Sequence, residues 1–223
     1  NLVNIGVTKV KMRGRKIERI DFEIVPLSDY EPDAEYQRLV DSYYADPELN
    51  RPVGTFAATA EKAGLANWMA ATGADIGIYH IGGVRLDSVS RGGVSTARIY
   101  DLEPFGTRIA EIDMTVEDLR RMIVTKYNEP TREGHRIDLI ATVPYTIVVD
   151  GDDRARTVLF PGLSDRKSYR VAMSDYVFKN YRDIDRERGS ISDREVADVL
   201  LDNLAAGRPV VPDNASKQKV VRE

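Results

Sequence analysis

The chain opens with two runs of alternating apolar and polar residues, Leu2–Arg13 and Lys16–Pro26, separated at Gly14. Val10, Met12, Ile17 and Ile20 alternate there with lysines and arginines, which predicts a solvated β-hairpin. From Asp33 to Ala45 the period changes: Tyr36, Val40, Tyr43 and Tyr44 form one stripe behind a capping Asp33, a helix pattern. Pro47 and Pro52 bracket a loop, and the main domain is expected to start near Val53. Ala57–Ala71 reads as a helix with Leu65, Trp68 and Met69 on a broad apolar face. Asp75–Ile81 reads as a strand carrying Ile76, Ile78 and His80 on one side. Val94–Tyr100 and Thr107–Met114 read as short strands. Thr115 with Asp118 is a capping-box pattern for a helix that carries Val116, Leu119 and Ile123. Thr142–Val149 and Arg156–Phe160 read as strands around the turn Asp150-Gly151-Asp152-Asp153, and Tyr169–Ser174 as another strand. Ser192 with Glu195 is expected to open a last helix through Val196, Val199 and Leu200, stopped by Gly207 and Pro209. The tail from Asp213 is polar and expected to be loose.

Helices interleaved with short strands predict an α/β or α+β fold. The organisation expected is a hairpin and linker helix over 1–52, a main domain over 53–212, and a tail over 213–223. Composition narrows the function classes. The 223 residues are 42% hydrophobic and 30% charged, with a net charge of -4. Nucleic-acid binders carry a basic stripe, and the one basic run, Lys9–Arg19, is accounted for by the hairpin. There are no cysteines, which excludes disulfides, thiol nucleophiles and thiolate metal sites. No apolar run reaches the ~20 residues of a membrane span. The first residue is Asn1, and the expectation is that an upstream signal peptide, lipoprotein anchor or whole domain is missing.

Catalytic equipment is sparse. His80 and His135 are the two histidines, too few for a dimetal phosphoesterase centre of the usual kind. No G-x-S-x-G elbow, Walker loop or G-x-G-x-x-G occurs. The Asp150 turn has its glycine misplaced for an EF-hand and lacks the closing glutamate, so it reads as a hairpin turn. What remains is a ligand-binding pattern. A strand runs into Gly82-Gly83, where backbone can approach a ligand closely. Arg85 follows, able to hold oxygens, and Phe105 stands in a loop after Pro104.

These residues occur in an order that resembles the C-terminal domain of the 5′-nucleotidase and UDP-sugar hydrolase family. The family's N-G-G-G-I-R is matched by His80-Ile81-Gly82-Gly83-Val84-Arg85, with histidine for asparagine and isoleucine for the first glycine. Its proline-phenylalanine-glycine loop is matched fully by Pro104-Phe105-Gly106. Its L-G-N helix resembles Leu65-Ala66-Asn67, and its D-F-L strand end resembles Asp175-Tyr176, although the G-G-D-G that follows in the family is missing. The arginines the family places before the L-G-N helix are also missing; Phe56–Thr59 stands there, with Arg51, Arg91 or Arg98 as weak substitutes. The likeness extends from about Val53 to Asp183.

The resemblance implies a four-layer α/β/β/α sandwich. A base would stack between Phe105 and a second ring, Tyr181 in preference to Phe178. Arg85 would bind sugar hydroxyls or phosphate and His80 the ribose, with Gly82, Gly83, Asn67 and Asp175 around them. No catalytic residue and no metal site is expected in this chain. Hydrolysis would use divalent metals, a two-metal centre, in an N-terminal metallophosphoesterase domain of the same or a separate chain. The opening hairpin and helix would be the end of that domain and its connection. The resemblance also implies a periplasmic or extracellular location and a capacity to form homodimers. The alternative expectation is a binding or assembly module that keeps the fold without substrate turnover, using surfaces such as Tyr43-Tyr44.

Overall fold

The computed structural model describes residues 3–130, 138–165 and 167–223, and it forms two compact units, Asn1–Asp46 and Pro47–Glu223. In the first, β1 (Asn4–Arg13) and β2 (Lys16–Pro26) pair antiparallel as the alternation predicts. Cross-strand partners include Val10 with Ile20 and Met12 with Ile17, and a bulge at Lys11/Met12 skips Glu18. Because side chains alternate across a strand, this register gathers Val10, Met12, Ile17, Ile20, Phe22 and Ile24 on one face. That face is exposed. Helix α1 (Ala34–Tyr44) follows, its N-terminus capped by Asp33, whose carboxylate accepts from the Glu35 and Tyr36 amides at 2.9 and 3.2 Å. A cap of this kind satisfies N–H groups that have no partner in the first turn.

The second unit begins with α2 (Pro47–Asn50), β3 (Pro52–Phe56), β4 (Ala60–Glu61) and α3 (Lys62–Ala70). It continues through β5 (Ile76–His80), β6 (Ser88–Val89), β7 (Gly92–Ser95), α4 (Thr96–Leu102), β8 (Arg108–Thr115) and α5 (Val116–Asn128). The remaining elements are β9 (Leu139–Ala141), β10 (Tyr145–Val149), β11 (Ala155–Leu159), β12 (Ser168–Ser174), α6 (Asp175–Asn180), β13 (Gly189–Glu195), α7 (Val196–Ala205) and β14 (Gln218–Arg222). The principal sheet has the order β13-β8-β12-β5-β9; β12 and β5 are parallel, and the other neighbours antiparallel. A second sheet, β11-β10-β14, joins an antiparallel hairpin to a parallel strand.

Apart from its exposed edge strand β13, the principal sheet is covered on both faces. Ile76, Ile78, Ile112, Val171 and Met173 share one core with α5 and the second sheet, while Tyr79, Ile109, Ile140 and Ala172 share the other with α3, α4 and α7. The result is a mixed α/β fold in which helices pack on these two sheets, and the two-stranded pairs β3-β7 and β4-β6 complete the strand pairing. Helix α5 also closes the edge of β11. The Asn128 amide donates to the Ala155 carbonyl at 2.9 Å and its oxygen accepts from the Ala155 N–H at 2.8 Å, and Arg120 Nε donates to the Val158 carbonyl. An edge strand otherwise leaves such groups unpaired.

Four expectations are corrected. The strand read over Val94–Tyr100 is only β7, after which Ser95 caps α4 by accepting from the Arg98 amide; Ile99 and Leu102, three apart, are the buried pair of a helix. Helix α3 starts at Lys62, after the short strand β4, not at Ala57. Ser192 lies within β13, and α7 begins after Glu195, whose amide donates to Asp198 at 3.3 Å. The tail is not loose: Asn214 donates to the Thr59 carbonyl and accepts from the Glu61 amide, and β14 lies parallel to β10. Paired backbone, not side-chain polarity, decides whether such a segment is ordered. The Asp150 turn is a hairpin turn, with Asp150 accepting from the Asp152 and Arg154 amides at 2.9 and 3.0 Å.

Candidate functional site

Strand direction assembles the site. Since β5 and β12 are parallel and β8 antiparallel to β12, the ends of β5 and β12 and the start of β8 share one edge of the sheet. His80, Asp175 and Thr107 therefore come together from three distant stretches of sequence. They line a pocket of about 590 Å³ with Gly82, Phe105, Gly106, Tyr176, Lys179 and Asn180. Gly106 has φ of +58°, the left-handed conformation that turns the loop back after Phe105. Gly83 is required for a different reason. A Cβ there would lie 2.7–2.9 Å from the rings of Tyr79 and His80, closer than packing allows.

Two rings stand open to solvent at this pocket, Phe105 at 60% exposure and Tyr176 at 49%. Tyr176 is braced from behind. Its ring stacks on His80 at 4.4 Å and 28°, and His80 stacks on Tyr79 at 5.1 Å and 23°. Arg85 approaches the Phe105 ring, 5.8 Å from guanidinium carbon to centroid, and has no carboxylate within ion-pair distance among the described residues. A guanidinium over an aromatic face is attracted by the ring's quadrupole. His80 Nδ1 lies 3.3 Å from Ser174 Oγ. Burial lowers its pKa from 6.5, against the smaller opposing pull of Asp138, Glu103 and Asp175. The imidazole is consequently neutral at pH 7, able to donate from one nitrogen and accept at the other. Asp175 is bound to Lys179 at 2.6 Å.

The expected second ring is corrected. Tyr181 is 3% exposed, its hydroxyl donates to Asp138 at 2.8 Å, and Lys126 covers its face at 4.7 Å. A ring occupied on hydroxyl and face cannot stack on a ligand. Phe178 is buried too, packed where a Gly189 side chain would otherwise stand. Tyr176 occupies the open position, and sequence reasoning assigned it no stacking role. A signal existed: Ser174 caps α6 by accepting from the Val177 amide, and Val177, Phe178 and Tyr181 form the buried side of the turn that follows. Helical spacing then turns Tyr176, Lys179 and Asn180 outward. Asn67 is elsewhere; its amide donates to the Asp213 and Ala215 carbonyls and holds the tail. Arg91 and Arg98 line a separate cavity of about 430 Å³, and Arg51 pairs with Glu48. His135 lies outside the described residues. Among the described residues no three His, Asp or Glu side chains converge as a metal would require.

Residues 45–185, more than half of the chain, match the family model described as the 5′-nucleotidase C-terminal domain. The chain belongs to that family. None of the curated proteins matches it. Among solved structures, this nucleotidase C-terminal domain resembles a 5′-nucleotidase precursor from Thermus thermophilus, with a TM-score of 0.68 and 16% identity over 99% of this chain and 50% of that one. A NAD nucleotidase from Haemophilus influenzae gives 0.64 and 16%, over 87% and 42%. A sulfate thiohydrolase, also from Thermus thermophilus, gives 0.65 and 14%, over 98% and 45%. At such identities the likeness establishes the fold. The chain spans about half the length of the structures it matches. No described helix is long and apolar enough to cross a membrane.

Proposed function

We propose that this nucleotidase C-terminal domain recognises a nucleoside or nucleotide by stacking its base between Phe105 and Tyr176, as the recognition part of a 5′-nucleotidase-type hydrolase. The observation that carries the reading is two exposed aromatic rings lining one pocket, where apolar rings are ordinarily buried. Each stacked contact supplies about 1–3 kcal/mol. Arg85, without a carboxylate partner among the described residues and beside Phe105, takes oxygens of ribose or phosphate, and neutral His80 serves a sugar hydroxyl. This chain binds and orients the substrate; bond cleavage belongs to divalent metals in an N-terminal metallophosphoesterase domain, in the same chain or a separate one, outside the cytoplasm. The hairpin fits that partnership, because its six-residue apolar face is a surface suited to burial against another layer.

Calorimetric titration of the chain with adenosine, AMP and a UDP-sugar tests the reading. Binding in the micromolar to millimolar range, lost in both Phe105→Ala and Tyr176→Ala but kept in Tyr181→Phe, is the expected result. Absence of binding to all three ligands, or binding indifferent to both substitutions, overturns it. Conversion of AMP to adenosine by the purified chain with added divalent metal would overturn the division of labour.

A further inference from the structure

Phe105 stands on a loop, and a stacking ring is useful only at a fixed angle. We propose that Glu103 is the positioning residue of this site: its carboxyl group clamps the turn 104–107 and so sets the orientation of the Phe105 ring. The inference rests on reading the Phe105–Tyr176 pocket as a nucleoside site.

Glu103 closes the C-terminus of α4 and is 1% exposed. Carboxyl groups are almost never this buried unless their oxygens are satisfied. Among the described residues no basic side chain pairs with it. Its donors come instead from the loop. Oε1 accepts from the Phe105 amide at 3.3 Å and the Thr107 hydroxyl at 2.6 Å, and Oε2 accepts from the Thr107 amide at 3.2 Å. Backbone on both sides of Gly106 is thus tied to one carboxyl group, across the residue that turns the chain left-handed. Tyr79 extends the arrangement, its hydroxyl directed at Thr107 Oγ1 at 3.5 Å. That tyrosine is also the inner ring of the stack behind Tyr176. Glu103, Thr107 and Tyr79 therefore link the loop holding one exposed ring to the stack holding the other. A residue needed only to fill the space would be apolar, like its buried neighbour Leu102.

The test combines amide hydrogen exchange with adenosine titration on the full chain. In Glu103→Ala, exchange at the Phe105 and Thr107 amides is expected to accelerate about tenfold or more while the Ile112 and Val171 amides keep their rates. Adenosine affinity falls about tenfold, the loss expected when a hydrogen bond to a charged group goes. Glu103→Gln keeps one carbonyl acceptor and falls between; being nearly isosteric, it carries the test if the alanine variant does not fold. In a Phe105→Leu background Glu103→Gln has no further effect on affinity, because a residue acting through Phe105 is not additive with it. Unchanged exchange at both amides overturns the clamp. Accelerated exchange with unchanged affinity, or additive losses, overturns the positioning role. If the unaltered chain binds no nucleoside, the stacking reading fails, and the exchange rates alone then decide whether Glu103 holds the loop.

Discussion

Strands β1 and β2 and strands β8 and β12 are built from the same kinds of residue and meet opposite fates. Val10, Ile20 and Phe22 are exposed, Phe22 at 66%, whereas Ile112, Val171 and Met173 are almost wholly covered. The alternation is as clean in the hairpin as in the sheet, but within its own unit the hairpin's apolar face is left uncovered. Two strands can make their backbone ladder, but they cannot bury a face against themselves. A hydrophobic pattern therefore marks a surface that suits burial, and only a second layer supplies it.

The largest expected contrast is in local opening. Amides of Val171 and Ile112 should exchange only through near-global unfolding, which for such a domain costs about 5–15 kcal/mol. Amides of β1 and β2 in this chain alone should exchange many orders of magnitude faster. Equal protection in the two regions would break the comparison. Next in size is truncation of a core side chain. Leu119→Ala in the buried stripe of α5 should cost about 2–5 kcal/mol in denaturant unfolding, and Ile20→Ala on the hairpin under about 0.5 kcal/mol. A costly Ile20→Ala would show that the apolar face is already covered in solution.

The smallest expected effect is the pH dependence contributed by His80. Its folded pKa lies below 6.5, so as pH falls below 6.5 the unfolded chain takes up a proton that the folded chain resists. Stability should therefore decline from pH 6.5 downward until the folded pKa is passed, with no contribution above that window. Melting temperatures at pH 7.5 and 5.5 should differ less in His80→Asn than in the unaltered chain. An identical difference would remove His80 as a source.

Local features that depend on neighbouring residues were readable from the chain alone. The hairpin, the caps at Asp33 and Thr115 and the Asp150 turn all rest on interactions spanning four residues or fewer, or on strict alternation. The Phe105 loop was legible for the same reason, since Pro104 and Gly106 mark the turn that presents the ring. The errors arose where short patterns admit two periods: Val94–Tyr100 alternates acceptably as a strand until Ser95 caps a helix through it. The tail was misread because its order comes from β10, Thr59 and Asn67, all more than 60 residues away.

The sequence by itself determined the mixed α/β class, which surfaces suit burial, and the residue types available to meet a ligand. Only the tertiary structure decided which tyrosine stands exposed at the pocket that Phe105 lines. Tyr176 and Tyr181 are five residues apart and chemically alike. Parallel pairing of β5 and β12 carries α6 to the pocket with Tyr176 outward, while Lys126 and Asp138 hold Tyr181 inside. That choice depends on contacts between segments 40 to 100 residues apart, which no local pattern encodes.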